Sequence, residues 1–265
     1  MDLTDITVAE FLAILAKSPN INTLCARSIK RAPHEQTFSP PSHPITHPAI
    51  KTVRLYENNY SEKFDMLFDH ITLPSLQEFL IKQSISPRLT AMLSRSLPPL
   101  TGLTIIASSI TRETMRVFMA TPHVMELDLR CQNIPASFFK RLGSTSSFSP
   151  LDRVQLLPVL SSLKMRCEHK FPWACVADMF GQRPVLQGLG PESIYRPLRT
   201  FALVITKGTI WAGTDYENDI EPVDNETLQR LRALEMAGIS ISISDRHGED
   251  LLSETVCGDG TSAED

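Results

Sequence analysis

One spacing recurs along the chain and constrains its fold more than any other feature. The block reads proline, any residue, apolar, two residues, apolar, one residue, apolar. It occurs at Pro19-x-Ile21-x-x-Leu24-x-Ala26, Pro48-x-Ile50-x-x-Val53-x-Leu55 and Pro74-x-Leu76-x-x-Phe79-x-Ile81. It returns at Pro98-x-Leu100-x-x-Leu103-x-Ile105, Pro122-x-Val124-x-x-Leu127-x-Leu129 and Pro158-x-Leu160-x-x-Leu163-x-Met165. A seventh copy, Leu198-x-x-Phe201-x-Leu203, has its proline, Pro197, one place nearer. Successive first anchors lie 29, 26, 24, 24, 36 and 38 residues apart. With 19 prolines and 42% apolar residues, chance supplies about 1.4 matches. Seven prolines match; the one at Pro172 is out of phase, and the other six are ordered and near-periodic.

The last two apolar positions have the period of a short strand that turns alternate side chains into a core. L-x-x-L-x-L is the strand half of a leucine-rich repeat, a unit of about 20–29 residues. The earlier anchor packs where the chain enters the strand. Proline fits just before it, where its fixed φ is useful and no ladder hydrogen bond is lost.

Helix signals fill the intervals. Thr7 to Glu10 is a capping-box pattern ahead of Phe11, Leu12, Ile14 and Leu15. Ser86-Pro87 is an N-cap and first-turn pair before Leu89, Met92 and Leu93. Thr111 caps a helix carrying Val117 and Phe118, Pro135 opens one carrying Phe138, Phe139 and Leu142, and Ser149-Pro150 opens another. A helix is expected over Trp173 to Gln182. The last runs from Asp224 to a Gly238 stop, and Ile239, Ile241 and Ile243 then alternate as a strand. Strand and helix in alternation predict an α/β fold, a leucine-rich-repeat solenoid shaped as an arc or horseshoe. Its parallel sheet lies on the concave side and its helices on the convex side. The two long intervals hold loops, Gly143 to Phe148 and Gly181 to Ser193, and Ser39 to Pro48 is a third.

The solenoid is expected over residues 1–253, with about seven irregular repeats and a terminal helix–strand cap. Residues 254–265 carry four acids and no Lys or Arg, which reads as a disordered acidic tail. The net charge of −4 therefore belongs to that tail, and residues 1–253 are formally neutral. No nucleic-acid partner is expected of such a body. No membrane partner is expected either, because no apolar run reaches the roughly 18–20 residues of a membrane helix. The acidic N-terminus and Glu10 argue against a secretory signal. Five scattered cysteines suit a reducing compartment, cytoplasm or nucleus.

The spaced blocks, the segment Val176 to Arg183, and the ending Leu231-x-x-Leu234-x-x-Ala237-Gly238-Ile239-x-Ile241 with Gly248-x-Asp250-Leu251-Leu252 carry a resemblance. They resemble the C-terminal leucine-rich-repeat region of fungal, basidiomycete-type F-box proteins, over about Thr4 to Leu252. The resemblance implies protein recognition, as the substrate-binding part of an F-box-type ubiquitin ligase adaptor. The alternative is a stand-alone repeat scaffold or inhibitor. No F-box is visible in these residues, so a Skp adaptor is a partner only through an F-box outside them. Leucine-rich repeats often place Asn three residues past the strand pair. Here only Asn58 does so, while Ile29, Ser84, Ser108, Gln132, Glu168 and Thr206 hold the equivalent places. The turns must close by other hydrogen bonds.

Alternation puts the non-core strand residues on the concave face. These are Arg54 and Tyr56, Leu80 and Lys82, Thr104 and Ile106, Asp128 and Arg130, Lys164 and Arg166. Five are basic and one is acidic, a stripe suited to an acidic or phosphorylated protein segment. Exposed strand faces also carry such residues simply for solubility.

No cofactor is expected. Cys167-x-His169 with Cys175 supplies three metal-ligand types where a structural zinc site needs four, so no metal is expected. Asp215-x-Glu217-x-Asp219-x-Glu221 lacks the central glycine of a calcium loop and reads as a solvated acidic loop. No nucleophile elbow, phosphate loop or dinucleotide glycine set is present. No catalytic residues are assigned, and an enzyme is the remote alternative. Ser39, before Pro40, is the best phosphorylation candidate.

Overall fold

The computed structural model describes residues 1–30, 43–56, 62–82, 85–143, 156–168, 171–180, 198–206 and 222–252. The seven blocks form seven strands: β2 (Thr23–Lys30), β4 (Thr52–Tyr56), β6 (Glu78–Lys82), β7 (Gly102–Ser109), β8 (Glu126–Asn133), β9 (Ser162–Cys167) and β10 (Thr200–Ile205). With β1 (Asp2–Thr7) before them and β11 (Ser240–Asp245) after, they make a nine-stranded sheet. Every pairing is parallel, and neighbours in the sheet follow chain order.

Register follows the block. Leu24, Val53, Phe79, Leu103, Leu127, Leu163, Phe201 and Ile241 are partners from strand to strand, as are Ala26, Leu55, Ile81, Ile105, Leu129, Met165, Leu203 and Ile243. All sixteen are buried. A one-residue slip would move a whole set to the other face, so burial fixes the pairing. Just before the strands, one carbonyl per repeat accepts two N–H groups of the next repeat. Asn22, Lys51, Gln77, Thr101, Met125 and Ser161 do this at 2.8–3.1 Å.

The prolines have a sharper role than strand entry alone. The amides of Ile21, Leu76, Val124 and Leu160 donate to the carbonyls of Ser18, Leu73, Thr121 and Leu157 at 3.2–3.3 Å. Pro19, Pro74, Pro122 and Pro158 are therefore the second residues of four-residue turns, where a fixed φ near −65° is preorganised. The turn delivers the anchor to the core. Ile50, Leu76, Leu100, Val124 and Leu160 are fully buried, whereas Ile21, near the end of the sheet, is only half-buried.

Seven helices occupy the intervals among the described residues. α1 (Val8–Lys17) begins at the expected capping box: Thr7 Oγ1 accepts from Glu10 N, and Glu10 accepts from Thr7 N at 2.8 Å. α2 (Glu62–Asp69) has no counterpart among the sequence expectations. α3 (Pro87–Ser96) starts at Ser86-Pro87, but the Ser86 side chain makes no cap bond; proline at the first turn sets the start. α4 (Arg112–Ala120) is capped by Thr111 and Thr114 reciprocally. α5 (Ala136–Gly143) buries Phe138, Phe139 and Leu142. α6 (Ala174–Met179) is shorter than the expected Trp173 to Gln182 helix, and residues 181–182 lie outside the described residues. α7 (Asn225–Met236) has Asp224 as its cap. It ends as expected at Gly238, whose φ of 88° suits glycine. Gly238 N and Ile239 N close the turn onto Glu235 O and Leu234 O.

The helices lie on the face where the strand residues are buried. A small void there is lined by Phe11 and Leu15 of α1, Leu67 and Phe68 of α2, Met92 of α3, and Leu24, Val53 and Phe79 of the sheet. Neighbouring helices are tied by Arg88–Asp69 at 2.7 Å and Arg230–Asp178 at 2.8 Å. Arg95 of α3 donates from Nη2 to the carbonyls of Phe68 and Ile71, both at 2.7 Å, which satisfies the end of α2. A second, two-stranded sheet pairs β3 (Ile45–Thr46) with β5 (Ile71–Thr72). It is held to α1 by buried His47, whose Nε2 donates to Ser18 O at 2.9 Å.

Two expectations need correction. Gly143 is not the start of a loop but the last residue of α5, packed against α6, where an added Cβ would lie 2.4 Å from Asp178 O. Residues 144–148, Gly181 to Ser193, Ser39, the Ser149-Pro150 helix start and the tail 254–265 lie outside the described residues. Ile45–Thr46, placed in the Ser39 to Pro48 loop, is strand β3. No helix among the described residues is long and apolar enough to cross a membrane.

Candidate functional site: the open face of the sheet

The side of the sheet turned away from the helices carries the other half of each strand's alternation. Its side chains stand in three rows that cross the strands. The leading row holds Thr52, Glu78, Gly102, Glu126, Ser162 and Thr200. The middle row holds Arg54, Leu80, Thr104, Asp128, Lys164 and Ala202. The trailing row holds Arg27, Tyr56, Lys82, Ile106, Arg130, Arg166 and Val204.

The ten residues expected on this face occupy the middle and trailing rows. Arg54, Arg130, Lys164 and Arg166 are exposed; Tyr56, Leu80, Lys82, Thr104, Ile106 and Asp128 are half-buried by their neighbours. Only some of the charges are unpaired. Arg130 grips Asp128 through Nε at 3.2 Å and Nη2 at 2.8 Å. That hydrogen bond to the Asp128 carboxylate raises the arginine's already high pKa further. Arg54, Lys164 and Arg166 have no ion pair among the described residues.

The face is less uniformly basic than the stripe suggested, because sequence reasoning left out the leading row and the first two strands. Glu78 and Glu126 bring two more acids, Arg27 another cation, and Asp2 of β1 pairs Arg27 at 3.5 Å. The Arg27 guanidinium also sits over the Tyr56 ring, 6.0 Å from its centroid. The same alternation gives Glu78 and Glu126 when extended one residue before each strand pair, and Arg27 when applied to the first block, whereas Asp2 lies on β1, which no block marks. Charge is thus sorted by row, with acids where the strands begin and cations where they end. Between Glu78 and Glu126 stands Gly102, with no side chain. A trough of about 690 Å³ opens there, bounded by Met125, Thr104, Leu80 and Tyr56 among others.

Two of the asparagine places, Glu168 and Thr206, are closed by main chain. Glu168 N donates to Gln132 O at 3.0 Å and Thr206 N to Cys167 O at 2.8 Å, extending the ladder past the strands. Asn58 and Ser84 lie outside the described residues.

The cysteine cluster is split between a strand and a helix. Cys167 ends β9 and Cys175 is in α6, both buried, while His169 lies outside the described residues, as do Asp215 to Glu221. Burial pushes the Cys167 thiol up to about 12 and Cys131, on the neighbouring strand, up to about 11. Both stay protonated near neutral pH and pack as small apolar groups.

No family model matches this chain, and no curated protein or solved structure matches it either.

Proposed function

We propose that the chain is a leucine-rich-repeat solenoid that recognises a protein partner on the open face of its sheet. In this reading it is the substrate-binding part of an F-box-type ubiquitin ligase adaptor. The partner presents an acidic or phosphorylated segment. One observation carries the binding half: among the described residues nothing covers this face, and it holds Arg54, Lys164 and Arg166 without ion pairs. Cations left unpaired on an open sheet attract anions with little desolvation cost. The in-phase stacking of seven proline-led blocks in one parallel sheet supports the repeat reading. The ligase half rests on the resemblance to F-box repeat proteins. Neither half calls for a cofactor or catalytic residues.

Affinity purification of the tagged protein from its native cells, followed by mass spectrometry, separates the two halves. Skp adaptor and cullin among the enriched proteins are the expected result. Enrichment of another partner without them contradicts the ligase role and leaves a stand-alone scaffold or inhibitor.

A further inference from the structure

The trailing row has a periodicity of its own. Across β2, β4, β6, β7, β8 and β9 it reads Arg27, Tyr56, Lys82, Ile106, Arg130, Arg166. Cation and apolar side chains alternate over the first five strands. Neighbouring strands are about 4.8 Å apart, so Arg27, Lys82 and Arg130 recur about every 9.6 Å. The arginines are held in place. Asp2 and the Tyr56 ring fix Arg27, and Asp128 fixes Arg130 through Nε and Nη2, which leaves Nη1 to donate elsewhere.

We infer that this row reads an extended acidic protein segment that crosses the strands with an acidic side chain at every third residue. Resting on the reading of the open face as a partner site, the inference adds the conformation and spacing of the ligand. A polyproline II segment has three residues per turn at about 3.1 Å each, so same-side residues recur every ~9.3 Å, close to the spacing of the cations. A β-strand places residues i and i+3 on opposite faces and cannot match the row. Tyr56 and Ile106 meet the residues between the acids, and Arg166, one strand beyond Arg130, engages the last acid or a phosphate.

The test uses synthetic proline-containing peptides of one composition, with glutamate at every third position or at every second position. Binding to the whole chain is read by fluorescence anisotropy. The every-third peptide is expected to bind about tenfold or more tightly. That preference should vanish in K82E/R166E, with K82Q/R166Q as the milder pair should the first melt early. Equal affinity for both peptides overturns the spacing while leaving an acidic partner intact. Binding of neither peptide overturns the spacing and the acidic-partner reading together.

Discussion

The two faces of the sheet come from the same nine strands and obey opposite rules. On the helix side the same kinds of residue recur: Leu, Ile, Val, Phe, Met and Ala at matched register, all buried. On the open side residue character changes from strand to strand, most of all in the middle row: Arg54, Leu80, Thr104, Asp128, Lys164, Ala202. The first face must satisfy a shared core, which accepts only apolar side chains of fitting volume. The second is free of that demand, so its composition can be set by what it touches. In the proposed reading, fold and recognition are thereby written into alternate residues of one segment.

The largest expected effect comes from crossing that division. Leu129→Ala removes a fully buried side chain at the centre of the sheet and is expected to cost about 2–5 kcal/mol. Thr104→Ala, on the open face, should stay within about 0.5 kcal/mol. Urea unfolding of both variants checks the contrast, and a similar cost for the two would break it.

The helix layer allows no more slack than the strands. Gly143→Ala puts a methyl group against Asp178 O and 3.0 Å from Met179 Cα, both main chain. Loss of about 1–3 kcal/mol is expected, because α5 and α6 would have to part. An unchanged denaturation midpoint would show that the two helices already have room.

Local caps contribute less. Thr111→Ala deletes one side of the reciprocal bond at the start of α4 and should cost about 1 kcal/mol, read as a shift in thermal midpoint.

The smallest effect depends on pH. Hydrogen bonds from the Thr227 backbone and hydroxyl hold Asp224 below the usual carboxylate range. Because the folded pKa lies below the unfolded one, this stabilisation is complete above the ordinary value of 3.8. It fades as pH falls through the folded value. Asp224→Asn should therefore melt below the wild type at pH 7, with the gap narrowing towards pH 2. A constant gap would mean that charge plays no part in the cap.

Legibility in the sequence follows the same division of labour. The seven block strands, the Thr7 and Thr111 caps and the Gly238 stop were readable because each rests on residues close together in the chain. β1 was not, since Leu3 and Ile6 alone supply its apolar pattern and no proline precedes it. The β3–β5 pair was hidden because Ile45 meets Ile71, 26 residues on, through two-residue strands with no local pattern. On the open face the positions of the ten candidate residues were readable from alternation. Their pairing was not: whether Asp128 takes Arg130 or Lys164 depends on side-chain reach across and along strands. The block says nothing of that choice, and Arg130 has it.

The most direct test of the central claim, that the open face binds while the helix face folds, is quantitative. Partner recovery is compared between the wild type and R130E/K164E/R166E, alongside their thermal midpoints. Three lost contacts of roughly 0.5–1 kcal/mol each correspond to about a tenfold or greater loss of affinity. The account expects recovery to fall by that factor with the midpoint almost unmoved. Undiminished recovery from a folded triple variant would contradict it.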